Sequence, residues 1–245
     1  MKPLRAVLFD IDDTLFSTTE FAARARRNAV RAMVRSGIRH PEDEVYRELV
    51  EVIGEFSSNY EHHYDKLLMR LPKASIEGLN RALVVAAGVV AYHDTKFEEL
   101  EPFGDVAPFL RGLIGAGITT GIVTHGWTTK QAEKLIRLQL MSLLTPSAIF
   151  ISDQVGISKP NPKLYQTALR ELNLEADEVM YVGDNLKNDI IPPKSLGMWT
   201  TWARRAANPD QDPEAAAPHH IVDDFQQLAA ILRETYDVQL EMVNL

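Results

Sequence analysis

Residues 6–14 read Ala-Val-Leu-Phe-Asp-Ile-Asp-Asp-Thr, and this stretch decides the fold. Residues 6–9 are a short apolar run without polar alternation, the pattern of a strand covered on both faces of a parallel sheet. The run stops at a cluster of carboxylates, Asp10, Asp12 and Asp13. Similar runs recur at 118–123, 148–151, 179–182 and 198–202, with a weaker one at 221–222. Helical patterns at 130–140, 162–172 and 189–196 separate the later runs, one crossover each. Alternating strand and helix implies an α/β fold with a doubly wound parallel sheet. Thr128-Thr129-Lys130-Gln131 has the form of a capping box, and Asn161-Pro162 places a cap before an N1 proline.

One connection is far too long for a single crossover. Between the first and second runs, the chain spends residues 17–100 almost wholly in helical patterns. Ser17-Thr18-Thr19-Glu20 opens the first helix, which stops at Gly37. A second begins near Pro41 with Glu42, Asp43 and Glu44 in its first turn, and places Val45, Leu49, Val52, Ile53 and Phe56 on one face. Further helices fit 60–70 and 75–93, and one near 105–114 returns the chain to the core. The expected organisation is a catalytic core of residues 1–16 and 101–245 with a helical cap domain at 17–100, hinged near 16–18 and 102–104. Residues 206–218 read as a proline-bearing loop, His219-His220 as a solvated turn, and Asp223-Asp224 as the cap of a final helix to about Tyr236.

Composition narrows the function classes. The 245 residues carry 26 basic and 34 acidic side chains, a net charge of −8 that argues against a broad nucleic-acid surface. The absence of cysteine excludes a disulfide framework, thiol catalysis and cysteine-ligated metal. The chain enters its first strand without a signal-type apolar run. Its most apolar stretch, residues 83–91, is too short to span a bilayer. It reads as a buried helix segment, packed inside the cap or against a second cap. The expectation is a soluble cytoplasmic protein, monomer or homodimer. Arg24, Arg27, Arg31 and Arg35 fall within about 80° of one another on the first helix. With the negative total charge, they read as a solvated face ion-paired to Glu20 or to the acidic second helix.

In an open α/β sheet, ligands bind beyond the carboxyl ends of the strands. Those ends carry Asp10, Asp12 and Asp13, then Thr124, then Lys159, then Asp184 and Asp189. A parallel sheet brings them to one edge. Carboxylates packed together repel unless a cation sits among them. With no cysteine or suitably spaced histidine nearby, the ligands are oxygens, which favours magnesium over zinc or copper. A hard cation beside a lysine and a hydroxyl describes a site for a phosphoryl group, with one carboxylate free to attack in line.

Four ordered segments carry a family resemblance: Asp10-Ile11-Asp12-Asp13-Thr14, Ile122-Val123-Thr124-His125-Gly126, Ser158-Lys159-Pro160, and Val182-Gly183-Asp184-Asn185 with Asn188-Asp189. Together they resemble the motifs of the haloacid dehalogenase superfamily, and the insertion after the first resembles its helical-cap class. The resemblance implies Asp10 as nucleophile, forming an aspartyl-phosphate, and Asp12 as general acid and then base. It implies Thr124, with the N–H groups of His125 and Gly126 after it, as the phosphoryl cradle, and Lys159 as the charge that ties nucleophile to phosphoryl group. Magnesium would sit between the Asp10 carboxylate, the Asp12 carbonyl and Asp184, with Asp189 and Asn188 one layer behind.

The superfamily's dehalogenases lack an acid at the Asp12 position, so the pair Asp12 and Asp184 points to phosphoryl transfer. The expected activity is hydrolysis of small phosphorylated metabolites, with phosphomutase as the alternative and a non-catalytic regulator behind it. Two departures stand out. His125 occupies a position that is Asn or Asp in many relatives, and Pro192-Pro193 replaces a Gly-Ala pair. The prolines read as structural, since an early helical turn tolerates missing donors.

Overall fold

Residues Ala6–Phe9 form β1, buried along its whole length at the centre of a six-stranded sheet. The structure, a computed structural model, describes residues 2–57 and 60–242. The other strands are β2 (Thr119–Thr124), β3 (Ile149–Ile151), β4 (Val179–Gly183), β5 (Trp199–Ala203) and β6 (His220–Val222). All pairings are parallel, in the spatial order β3-β2-β1-β4-β5-β6. Each strand lies within one residue of its apolar run. Phe9 stands opposite Ile122 on one side and Val182 on the other. The strand order reverses between β1 and β4, and such a switch opens a crevice beyond the carboxyl ends of the two strands.

The chain divides into two compact units, Met1–Thr18 with Glu101–Leu245, and Thr19–Leu100. The second is helical: α1 (Thr18–Arg35, its first residue counted with the other unit), α2 (Glu42–Phe56), α3 (His63–Arg70), α4 (Lys73–Ile76) and α5 (Arg81–Glu99). Its core gathers Val30 and Met33 from α1, Val45 and Leu49 from α2, Leu67 and Leu68 from α3, and Val84 from α5. The helix expected over 75–93 is two helices. Gly78 adopts φ +76, and the Asn80 side chain accepts the N–H groups of Ala82 and Leu83 to start α5 afresh. Phe56 is exposed and stacks on Tyr60 instead of entering the core. Residues 83–91 are not a buried segment either: Leu83, Val89 and Val90 are exposed. Three of the five arginines of α1 are in ion pairs, Arg24 to Glu99, Arg27 to Asp43 and Arg31 to Glu42.

The sheet unit adds α6 (Val106–Gly115), α7 (Thr128–Arg137), α8 (Ser152–Val155), α9 (Lys163–Leu172), α10 (Ile191–Ser195), α11 (Pro213–Ala216) and α12 (Phe225–Tyr236). Alternate residues of β1 serve opposite faces of the sheet. Ala6 and Leu8 join a cluster with Val123, Leu164, Tyr165 and Tyr181, under α9. Phe9 meets Phe109 of α6 edge-on at 6.2 Å and Phe225 of α12 at 6.0 Å. Burying Phe9 contributes about 2–3 kcal/mol, and the ring contacts add to that.

Three local expectations are revised. Thr128 does not build a capping box on Gln131; its N–H and hydroxyl both donate to Asp153. The helix expected over 189–196 starts as a π-helical turn at Leu186–Ile190 before α10, with Pro192 and Pro193 buried in its first turn. His219 is exposed at a bend, with its Nδ1 accepting the Thr200 N–H, but His220 is half-buried in β6 and its Nε2 lies 2.7 Å from the Tyr236 hydroxyl. Asp224 caps α12 as expected, accepting the Gln227 N–H. No helix among the described residues is long and apolar enough to cross a membrane.

Candidate active site

Asp10 extends the β1–β4 ladder by one residue, its N–H donating to the Val182 carbonyl at 2.9 Å. That bond sets the Asp10 side chain beside the chain leaving β4. Asp10, Asp184 and Asp189 each offer an oxygen within 4.8 Å of the others. Into this cluster Lys159 brings a buried ammonium whose three donors are all used. Its Nζ donates to Asp10 Oδ1 at 2.8 Å, Asp189 Oδ1 at 2.7 Å and the Tyr181 hydroxyl at 2.7 Å. Tyr181 donates onward to the Val123 carbonyl at 2.6 Å. Burial opposes the Lys159 charge, but Asp10 and Asp189 outweigh it and hold its pKa above the ordinary value.

The π-helical turn places Asp189. Its second oxygen accepts the Asn185 N–H at 3.0 Å, and the Asn185 side chain caps the Asn188 N–H. A Cβ on Gly183 would overlap the Asp189 carboxyl, so only glycine lets that carboxylate in. Asn188 contributes its carbonyl, which accepts the Tyr165 hydroxyl at 2.6 Å. The main chain of Asp184 is held by Trp202 Nε1 at 2.7 Å and Gln211 Nε2 at 2.9 Å, both donating to its carbonyl. Its carboxyl is pushed up to about 8 by burial, and then by the negative charges of Asp189, Asp10 and Asp13. Burial and the other carboxylates also raise Asp10, against the pull of Lys159. An all-oxygen set with more negative charge than Lys159 offsets suits a hard divalent cation.

Asp12 points into a different set of partners. Lys134 Nζ donates to its two oxygens at 2.6 and 2.7 Å, Thr18 Oγ1 donates at 2.8 Å and Gln131 Nε2 at 3.2 Å. Burial alone would raise this carboxyl, but the Lys134 charge and these hydrogen bonds hold it below the usual carboxylate range. Asp13, in the left-handed region at φ +53, turns the chain and accepts the Thr18 N–H. Asp12 in this arrangement is held as a hydrogen-bonded carboxylate.

Thr124 ends β2, buried, and Gln131 Nε2 donates to its hydroxyl at 3.2 Å as well as to the His125 carbonyl. Gly126, at φ +140, gives its N–H to Ser152 Oγ at 2.9 Å, so it shapes the loop instead of presenting a spare donor. His125 is exposed with Nδ1 2.7 Å from Ser158 Oγ, next to Lys159. Asp10, Lys159, Asp184 and Asp189 thus form one charged cluster, and Asp12 and Thr124 are joined through Gln131. Sequence reasoning missed Lys134, Gln131, Tyr181, Trp202 and Gln211. None of the five carried a sequence signal that tied it to these acids.

Known proteins resemble this chain along most of its length. The model of the haloacid dehalogenase-like hydrolases matches residues 4–197. A glyceraldehyde 3-phosphate phosphatase from Methanopyrus kandleri is 42% identical over 235 residues, covering 94% of this chain and 98% of its own. One from Pyrococcus furiosus is 37% identical over 238 residues, covering 95% and 94%. Among solved structures, a HAD phosphatase from Thermococcus onnurineus superposes with a TM-score of 0.62 at 24% identity, over 98% of this chain and 100% of that one. The matched span runs through Asp10, Thr124, Lys159 and Asp184, and the chain belongs to the haloacid dehalogenase-like hydrolases.

Proposed function

We propose that this chain is a Mg²⁺-dependent phosphatase that hydrolyses small phosphate monoesters through an aspartyl-phosphate on Asp10. The observation that carries the reading is Lys159 Nζ bridging Asp10 and Asp189 inside the Asp10–Asp184–Asp189 cluster. Dehalogenation is disfavoured by Asp12, whose hydrogen-bonded carboxylate has a proton-handling role that a halide leaving group does not need. The names of the relatives make glyceraldehyde 3-phosphate the first substrate to try, with residues 19–100 as the cap that selects among esters.

When bound, Mg²⁺ offsets the charge of the phosphoryl oxygens and of the Asp10 and Asp184 carboxylates, with the Asp12 carbonyl as a further ligand. Asp10 attacks phosphorus, the bond to the ester oxygen breaks, and that oxygen takes a proton carried by Asp12. Lys159 keeps Asp10 oriented and screens its repulsion from the phosphoryl group. The Thr124 hydroxyl holds a phosphoryl oxygen. Water then attacks the phosphorus, Asp12 takes its proton, and the bond to Asp10 breaks. The Lys134 pairing holds Asp12 in the form this second step needs; for the first step Asp12 must gain a proton.

The test is phosphate release from a panel of phosphomonoesters that includes glyceraldehyde 3-phosphate, with Mg²⁺ and with EDTA, for wild type and Asp10→Asn. Mg²⁺-dependent release lost in the variant is the expected result. Absence of release from every ester by folded protein in Mg²⁺ would overturn the reading.

A further inference from the structure

A short loop leads from the end of β2 into α7, and Gln131, in the first turns of that helix, reaches back to the loop. Its side chain is buried. Nε2 donates to the Thr124 hydroxyl at 3.2 Å, to the Asp12 carboxylate at 3.2 Å, and to the His125 carbonyl. Turned over, the amide would set its oxygen against a carboxylate and a carbonyl, so the nitrogen must face this way. Oε1 is buried and meets no donor among the described residues. A buried acceptor without a donor destabilises a fold, so what the nitrogen holds has to account for the amide. Gly126, at φ +140, leaves it room: a Cβ there would come within 2.9 Å of Nε2.

Of the three acceptors, Asp12 depends on this amide least, since Lys134 and Thr18 already hold its oxygens at 2.6, 2.7 and 2.8 Å. Among the described residues, Gln131 is the one partner of the Thr124 hydroxyl. A hydroxyl that accepts a hydrogen bond turns its own proton away from the donor. That proton is left without a protein acceptor, at the carboxyl end of the strand next to β1, which ends at Asp10. We propose that Gln131 is the positioning residue of the phosphoryl cradle. By donating to Thr124 it fixes that hydroxyl as a donor to the phosphoryl oxygen, and by donating to the His125 carbonyl it holds the loop that follows. Without the amide, the hydroxyl rotates freely about its C–O bond and its proton is no longer directed. A directed donor matters most to an anionic acceptor, where such bonds are strongest. This role rests on the phosphatase reading of the site and extends it to a residue that touches no substrate.

Inorganic phosphate is the probe. Its Kd for the full chain in Mg²⁺ is read from the rise in Tm along a phosphate titration. Gln131→Met keeps the length of the side chain and removes its polar end. It should weaken phosphate binding about tenfold or more, as should Thr124→Val. Because one residue acts through the other, the double variant should lose less than the product of the two single losses. Gln131→Glu keeps the shape but sets an acceptor against the hydroxyl, and should also weaken binding about tenfold or more. Combined with Thr124→Val, it supplies the same cycle if Gln131→Met misfolds. Unchanged phosphate affinity in the folded Gln131 variants, or losses that multiply, would overturn the proposal and leave the phosphatase reading standing. A wild type that neither binds phosphate nor releases it from any ester would overturn both.

Discussion

Lys134 Nζ lies 2.6 and 2.7 Å from the two carboxylate oxygens of Asp12, although the residues are 122 positions apart. In the proposed mechanism Asp12 gives a proton and takes one back, so losing the pair should separate two kinds of substrate. In Lys134→Met, turnover of alkyl phosphates should fall about ten- to a hundredfold, because their leaving oxygen needs protonation. Turnover of p-nitrophenyl phosphate, with its stable leaving group, should fall much less. Equal losses for both, measured by steady-state kinetics, would mean that Lys134 serves only the fold.

Asp10→Asn removes the proposed nucleophile and one of the two carboxylates on Lys159 while keeping its size. Turnover should drop about a thousandfold or more. The wild type should give a hydroxylamine-sensitive phosphoprotein after acid quench, and the variant none. Labelling of the variant would move the covalent step to another residue.

The raised Asp184 carboxyl makes a pH prediction. Below about pH 4 both folded and unfolded chains hold this proton, and the group does not affect stability. As pH climbs towards about 8, the unfolded chain releases it and the folded one keeps it, so the metal-free protein loses stability across that window. A divalent cation bound at the cluster would take the proton's place. Mg²⁺ should therefore raise Tm more at pH 8.5 than at pH 6, as read by thermal unfolding at matched ionic strength. A shift that is equal at both pH values would contradict the cluster as the metal site.

Replacing Lys159 by Met leaves Asp10 and Asp189 buried without their counter-charge. Such a loss costs about 3–5 kcal/mol at neutral pH. Urea unfolding should show it at pH 7.5 and show a smaller deficit at pH 5.5, where the carboxylates accept protons. A deficit that does not change with pH would mean the cost is lost packing, not stranded charge.

The strands and the cluster of acids were legible because both announce themselves locally. Residues 6–9 are apolar without alternation, and carboxylates at the ends of parallel strands converge by topology alone. The partners of those acids were not legible. Lys134 and Gln131 lie on a helix, and nothing in their spacing says which strand end they reach. Tyr181 reads as an ordinary strand residue until Lys159 is seen beside it. Residues 83–91 failed for a related reason: hydropathy records that a face is apolar, not whether anything covers it. Thr128 looked like a cap of its own helix, but Asp153 from another loop took its donors.

The placement of β1 bears on how the chain comes into being. Of the six strands of this sheet, the one made first lies inside it, and its two neighbours start at Thr119 and Val179. At ribosomal speeds of about 5–20 residues per second, β1 has both edges open for roughly 6–20 seconds before β2 is synthesised. During that interval the intervening helices, whose core is built from near neighbours, have time to condense alone. Nascent β1 is thus the segment most exposed to wrong pairing.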